Sequence, residues 1–108
     1  MEQTKTSEDI SFQMLSAIDE ANSLYLQAMQ SARQSDFDKA SNFLDAGDIA
    51  WDKARDGHTR LLHLKADGEF DRVDFFALHA EDRLTCGETY KLMAHESVHV
   101  YRAIAAIS

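Results

Sequence analysis

Apolar residues recur three and four positions apart along three long stretches of this chain, the period of one face of an α-helix. In the first stretch Ile10, Met14, Ile18, Ala21, Tyr25, Ala28 and Ala32 form the stripe, and Leu15 and Leu26 widen it. Thr6 and Asp9 stand at capping-box spacing just upstream, so this helix is expected over about 7–34. Asp19 and Glu20 in its middle read as solvated side chains. Ser35-Asp36-Phe37-Asp38 offers a turn and an N-cap for a second helix, over about 36–66. There Phe37, Ala40, Leu44, Gly47, Trp51, Ala54, His58, Leu61 and Lys65 keep a heptad spacing almost without slip, a bundle seam whose polar member is His58. Gly57 costs about 1 kcal/mol against alanine in a helix interior, so a bend or an early break is expected there. His63 reads as a surface residue.

Asp67-Gly68 supplies the next turn, and Asp71, with Asp74 at the box position, is placed to cap a third helix over about 72–106. Within it Phe75, His79, Asp82, Cys86, Tyr90, Met93, Ser97, Tyr101 and Ile104 fall inside roughly a third of the circumference. That side is mostly apolar, so its burial is expected. Together the three stretches predict an all-α fold, a single domain over 1–108 built as an antiparallel three-helix bundle running up, down and up. Phe12, Phe43 and Phe76 lie off the main stripes and leave apolar surface for a neighbouring chain.

Composition narrows the function classes. A chain of 108 residues supports one modest core, so part of its stability is expected from association. No proline and 4 glycines leave few helix breakers. With 11 basic and 19 acidic side chains the net charge is −8, which opposes nucleic acid and anionic membrane surfaces and favours partners with basic faces. No apolar run approaches the ~18 residues of a membrane span, so no direct membrane insertion is expected, and the first six residues lack the core of a signal peptide. A single cysteine, Cys86, excludes an intrachain disulfide and fits a reducing cytoplasm. On the apolar stripe it reads as a small buried residue.

The candidate chemistry centres on His79, with Asp82 one turn on. Two titratable groups placed where burial is expected need compensation. They form either a hydrogen-bonded core pair or a polar pocket. In a pocket the neutral imidazole has a free lone pair for phosphorus or a metal, and the carboxylate orients the ring, stays ionised beside a cation or ligates a metal itself. His95-Glu96-Ser97-Val98-His99 matches HExxH, yet only nine residues follow His99 and none is a histidine, glutamate or aspartate. These two histidines lie about 160–200° around the helix from His79, on a face read as solvated. No glycine-rich phosphate loop, GxSxG elbow or CxxC pair is present, so nucleotide hydrolysis, serine hydrolase and dithiol redox chemistry have no support.

Three ordered segments carry a resemblance: Ile10-Ser11-Phe12-Gln13, Ser35-Asp36-Phe37-Asp38-Lys39-Ala40, and Phe76-Ala77-Leu78-His79-Ala80-Glu81-Asp82-Arg83-Leu84. From Glu8 to about Tyr101 the chain resembles the IIA component of the lactose/cellobiose class of the phosphoenolpyruvate-dependent sugar phosphotransferase system. The last segment is similar to that family's signature, aliphatic residues followed by VHAQDHLM. The resemblance implies a cytoplasmic homotrimer in which His79 is the phosphorylated histidine, taking phosphate from the carrier HPr and passing it to a cysteine of the IIB component. It also implies that Asp82 helps bind one structural magnesium ion per trimer, on the threefold axis. The sequence departs from the pattern at Glu81, Arg83 and Thr85, where the signature has glutamine, histidine and methionine. It departs again at Asp19-Glu20-Ala21-Asn22-Ser23, where many members have a GNARS-like segment. Arg83, one turn beyond His79, is a candidate bidentate phosphate contact or a salt-bridge partner of Glu81 or Asp82. Two rival readings are a degenerate IIA-like regulatory or binding module, and a histidine-phosphotransfer domain. The latter usually has four helices and a lysine and glycine soon after its histidine, a pair missing here.

Overall fold

The computed structural model of the chain describes residues 2–67 and 75–108, with α1 at Glu2–Arg33, α2 at Phe37–Ala66 and α3 at Phe75–Ile107. Gly68 and the expected Asp71–Asp74 cap lie outside the described residues. α1 begins upstream of Thr6, so the capping-box spacing there is not a helix start. The residues before it include no glycine or proline, so nothing halts the helix at Thr6. Inside α1 the hydroxyl of buried Ser11 donates to the carbonyl of buried Ser7 at 2.8 Å.

The first connection follows its local chemistry. Ser35 takes a left-handed φ of 65°, its N–H donates to the Ala32 carbonyl at 2.9 Å, and the Asp36 N–H reaches back to the Ser31 carbonyl at 2.9 Å. This is a Schellman closure with serine where glycine is usual. Asp36 then caps α2, its side chain accepting from the Lys39 N–H at 3.2 Å.

Contacts along the helices fix their directions. Gln13 meets Arg60 and Tyr25 meets Asp48, so α1 and α2 are antiparallel. His58 meets Glu81 and Asp48 meets His95, so α2 and α3 are antiparallel as well. α1 packs closely against both others, while α2 and α3 touch less. The result is the expected up-down-up bundle, a rod of 59 × 18 × 16 Å.

In α1 all seven stripe residues from Ile10 to Ala32 are buried, and in α2 the seam is buried at Ala40, Leu44, Gly47, Trp51, Ala54 and Leu61. Gly57 does not end α2. It is buried beneath Met14, whose side chain lies where a Cβ at 57 would stand, so the glycine admits α1 rather than breaking the helix.

The expectation for α3 is overturned. Its inward residues are Ala77, Ala80, Gly87, Ala94 and Val98, with Leu84 and Lys91 part-buried between them at the same heptad spacing. The larger stripe is turned outward: Phe75 is 83% exposed and Met93 60%, and His79, Asp82 and Cys86 are exposed too. Small side chains win the inner face because the opposing surface is already bulky. A Cβ on Gly87 would stand 2.8 Å from Cζ3 of the Trp51 ring.

Candidate functional site

His79 sits one turn into the described part of α3, and its ring is exposed with no hydrogen-bond partner among the described residues. The internal burial expected of His79 and Asp82 therefore does not occur within one chain. Neither group meets the desolvation that burial would impose, and the imidazole is open to an incoming molecule. On the α1 side Phe12 and Phe76 stack with ring centroids 4.8 Å apart, and both stay partly exposed. They form an apolar shoulder one turn before His79.

Two departures from the signature meet side chains of other helices. Arg83 Nη2 donates to Asp19 Oδ1 on α1, and not to its helix neighbours Glu81 and Asp82. Asp19 is therefore solvated but partnered. Glu81 points the other way, both its oxygens 2.6 Å from Nδ1 of His58 on α2. His58 is thus a seam residue, as its spacing predicts, with an acid from α3 as its partner.

The HExxH segment is placed differently from expectation. His95 is part-buried, its Nε2 is 2.9 Å from Asp48 Oδ1, and its ring meets the edge of Tyr25. His99 is exposed. With His79 facing outward, the face opposite it borders the core, which reverses the solvated reading for His95. Tyr25 donates to the same Asp48 oxygen at 2.6 Å, so one residue from each helix meets at this carboxylate. Burial, then the Asp48 hydrogen bond and the charges of Asp48 and Asp52, push the Tyr25 hydroxyl far above its ordinary range and keep it a donor. For Asp48, burial raises the carboxyl. The hydrogen bonds from Tyr25 and His95, with the charges of His95 and Lys91, outweigh it and leave the value lowered. Sequence reasoning missed this network and the Asp19–Arg83 pair, whose members lie 23 to 64 positions apart. The one local signal was the flawless 3-4-3-4 spacing of Ala77, Ala80, Leu84, Gly87, Lys91, Ala94 and Val98.

Asp82 is exposed on the outward stripe, without an ion-pair or hydrogen-bond partner among the described residues. Among these residues no group of three or more His, Cys, Asp or Glu in one chain could hold a metal ion. A carboxylate oxygen suits a hard divalent cation, but this chain brings one such donor to the stripe, so a full ligand set needs further copies. Cys86, expected to be buried, is exposed one turn farther along. No described helix is long and apolar enough to cross a membrane.

Known proteins resemble this chain in sequence and in fold. The chain is 29% identical to the lichenan-specific phosphotransferase enzyme IIA component of Bacillus subtilis, over 90% of this chain and 88% of the relative. It is 26% identical to the oligo-beta-mannoside-specific EIIA component of the same organism, over 94% and 96%. For the lactose-specific EIIA component of Staphylococcus epidermidis the identity is 25%, over 86% and 89%. The fold superposes on the crystal structure of the cellobiose-specific enzyme IIA of Bacillus anthracis with a TM-score of 0.88 at 28% identity, covering 95% of this chain and 94% of that one. The sequence pattern described as "PTS system, Lactose/Cellobiose specific IIA subunit" matches residues 9–102, which include His79, Asp82 and Arg83, and the chain accordingly belongs to that family of phosphotransferase-system components.

Proposed function

We propose that this chain is a cytoplasmic phosphocarrier in which His79 accepts a phosphoryl group from phosphorylated HPr and hands it to a cysteine of a cognate IIB component. The observation that carries this reading is the imidazole of His79, exposed and without a hydrogen-bond partner among the described residues, within the signature-like segment of α3. A relay between two proteins needs such a surface nucleophile. A neutral ring nitrogen attacks phosphorus in line, an N–P bond forms, and the donor's bond to phosphorus breaks with its electron pair returning to the donor. In the second step the IIB thiolate attacks, an S–P bond forms, and the electron pair of the N–P bond returns to the His79 ring. Arg83 is the cation nearest in sequence to His79 and offers N–H groups to the phosphoryl oxygens.

The outward stripe of α3 supports assembly as a homotrimer, with its apolar residues and Asp82 turned toward the threefold axis and His79 at the subunit boundary, in a cleft open to a partner's donor or acceptor group. Three carboxylates brought together there would repel, and a magnesium ion with oxygen ligands would offset them in a structural role. The test is transfer of labelled phosphate from phosphoenolpyruvate through the general phosphotransferase proteins. Label is expected on His79 and absent from His79→Ala. Label that persists in that variant rejects the assignment, and a wild-type chain that takes up no label is the degenerate module instead.

A further inference from the structure

The segment around His79 is poorly suited, on charge alone, to hold a phosphoryl group. Glu81 and Asp82 stand two and three positions beyond it, Asp19 lies across on α1, and Arg83 is the only lysine or arginine between Phe75 and Tyr90. A phosphoryl group brings close to two further negative charges. Two observations show how this chain arranges the charges. Glu81 is drawn toward α2 by His58, on the far side of α3 from His79. Arg83 is held toward α1 by Asp19, through Nη2 alone, and its other N–H groups meet no acceptor among the described residues.

Arg83 lies four positions after His79, so the two side chains are neighbours on one strip of the helix. Side chains on a helix lean toward its N-terminus, so a residue at 83 covers the turn that carries His79. An exposed ion pair contributes little to stability, and the α1–α3 contact already rests on a buried core. We propose that Asp19 is the positioning residue of the phosphoryl site: it holds the Arg83 guanidinium beside His79 so that the remaining N–H groups meet the phosphoryl oxygens as they arrive. Asp19 itself touches neither phosphate nor the reacting nitrogen. Without it the arginine is free to swing to Asp82 or to solvent. The inference rests on the reading of His79 as the phosphoryl acceptor.

The test is single-turnover phosphorylation of the full chain by two donors, phosphorylated HPr and the small molecule phosphoramidate. Arg83→Gln should slow the saturated rate about tenfold with either donor, the range of a charge-assisted hydrogen bond. Asp19→Asn should slow it about threefold without raising the half-saturating donor concentration, as fits the loss of one exposed ion pair. Asp19→Glu should recover most of that loss, and both Asp19 variants should melt within about 2 °C of the wild type. A wild-type rate in Asp19→Asn overturns the inference. So does a loss seen only as weaker HPr binding and absent with phosphoramidate, which would make Asp19 a docking residue. If neither donor labels His79 in the wild type, the acceptor reading itself fails.

Discussion

Replacing Gly47 by alanine sets two effects of known sign against each other. Read locally, Gly47→Ala in the middle of α2 should stabilise the helix by about 1 kcal/mol. The tertiary structure opposes this. A Cβ at 47 would stand 2.7 Å from Cε1, 2.9 Å from Cδ1 and 3.2 Å from Cζ of Tyr25, where carbon atoms normally rest about 3.5–4.0 Å apart. The ring cannot easily give way, because Tyr25 is completely buried and its hydroxyl is tethered to Asp48 at 2.6 Å. Overpacking of this kind costs about 1–3 kcal/mol, and a rigid, anchored obstacle belongs at the upper end. The balance is a net loss of about 2 kcal/mol, or roughly 8 °C in melting temperature for a chain of this size. Urea unfolding followed by helical circular dichroism, at one protein concentration, should show a lower midpoint with an unchanged slope. A double-mutant cycle with Tyr25→Leu isolates the cause. With the ring removed, the new methyl should become neutral or stabilising, a coupling of at least about 1 kcal/mol. A Gly47→Ala protein as stable as the wild type, or a cycle without coupling, would refute the close-packing argument.

Other outcomes follow from the same structure. Because the carboxyl of Asp48 is lowered in the folded state, its contribution to stability is fully present above the unfolded value, about pH 4, and is lost as pH falls through the folded value. Urea midpoints at pH 7 and pH 3 should therefore differ less in Asp48→Asn than in the wild type, and equal differences would rule this out. Ser35→Gly should stabilise by about 0.5–1 kcal/mol and Ser35→Val destabilise, since the φ of 65° is free of steric cost only for glycine; thermal melts decide. Sedimentation in the presence of a chelator checks the proposed axial ion: the wild type should dissociate, whereas a trimer of Asp82→Leu should persist, with no carboxylates left to compensate. Chelator-resistant wild-type trimers would remove the metal from the assembly.

Much of the bundle was legible because it is written locally. The α1 stripe and the α2 seam place large apolar residues where only one side can be buried, and the Asp36 cap lies three residues from the Lys39 N–H that donates to it. α3 was ambiguous for a physical reason. It carries two stripes at helical spacing, one of bulky residues from Phe75 to Ile104 and one of small residues from Ala77 to Val98. Hydrophobicity alone ranks the bulky stripe as the inner one. Close packing against Trp51 ranks the small one, and packing decides. The histidines moved with that choice: His79 came to the surface, and His95 joined Asp48 and Tyr25.

By itself the sequence determined three helices, their order and direction, and a histidine in a recognisable setting, since these depend on spacing within a few turns of chain. Only the tertiary structure decided which side of α3 faces in, which acid holds Arg83, and where Glu81 points. Those outcomes depend on the shape and charge of surfaces brought together from distant positions, such as Asp19 and Arg83, and no local period encodes them.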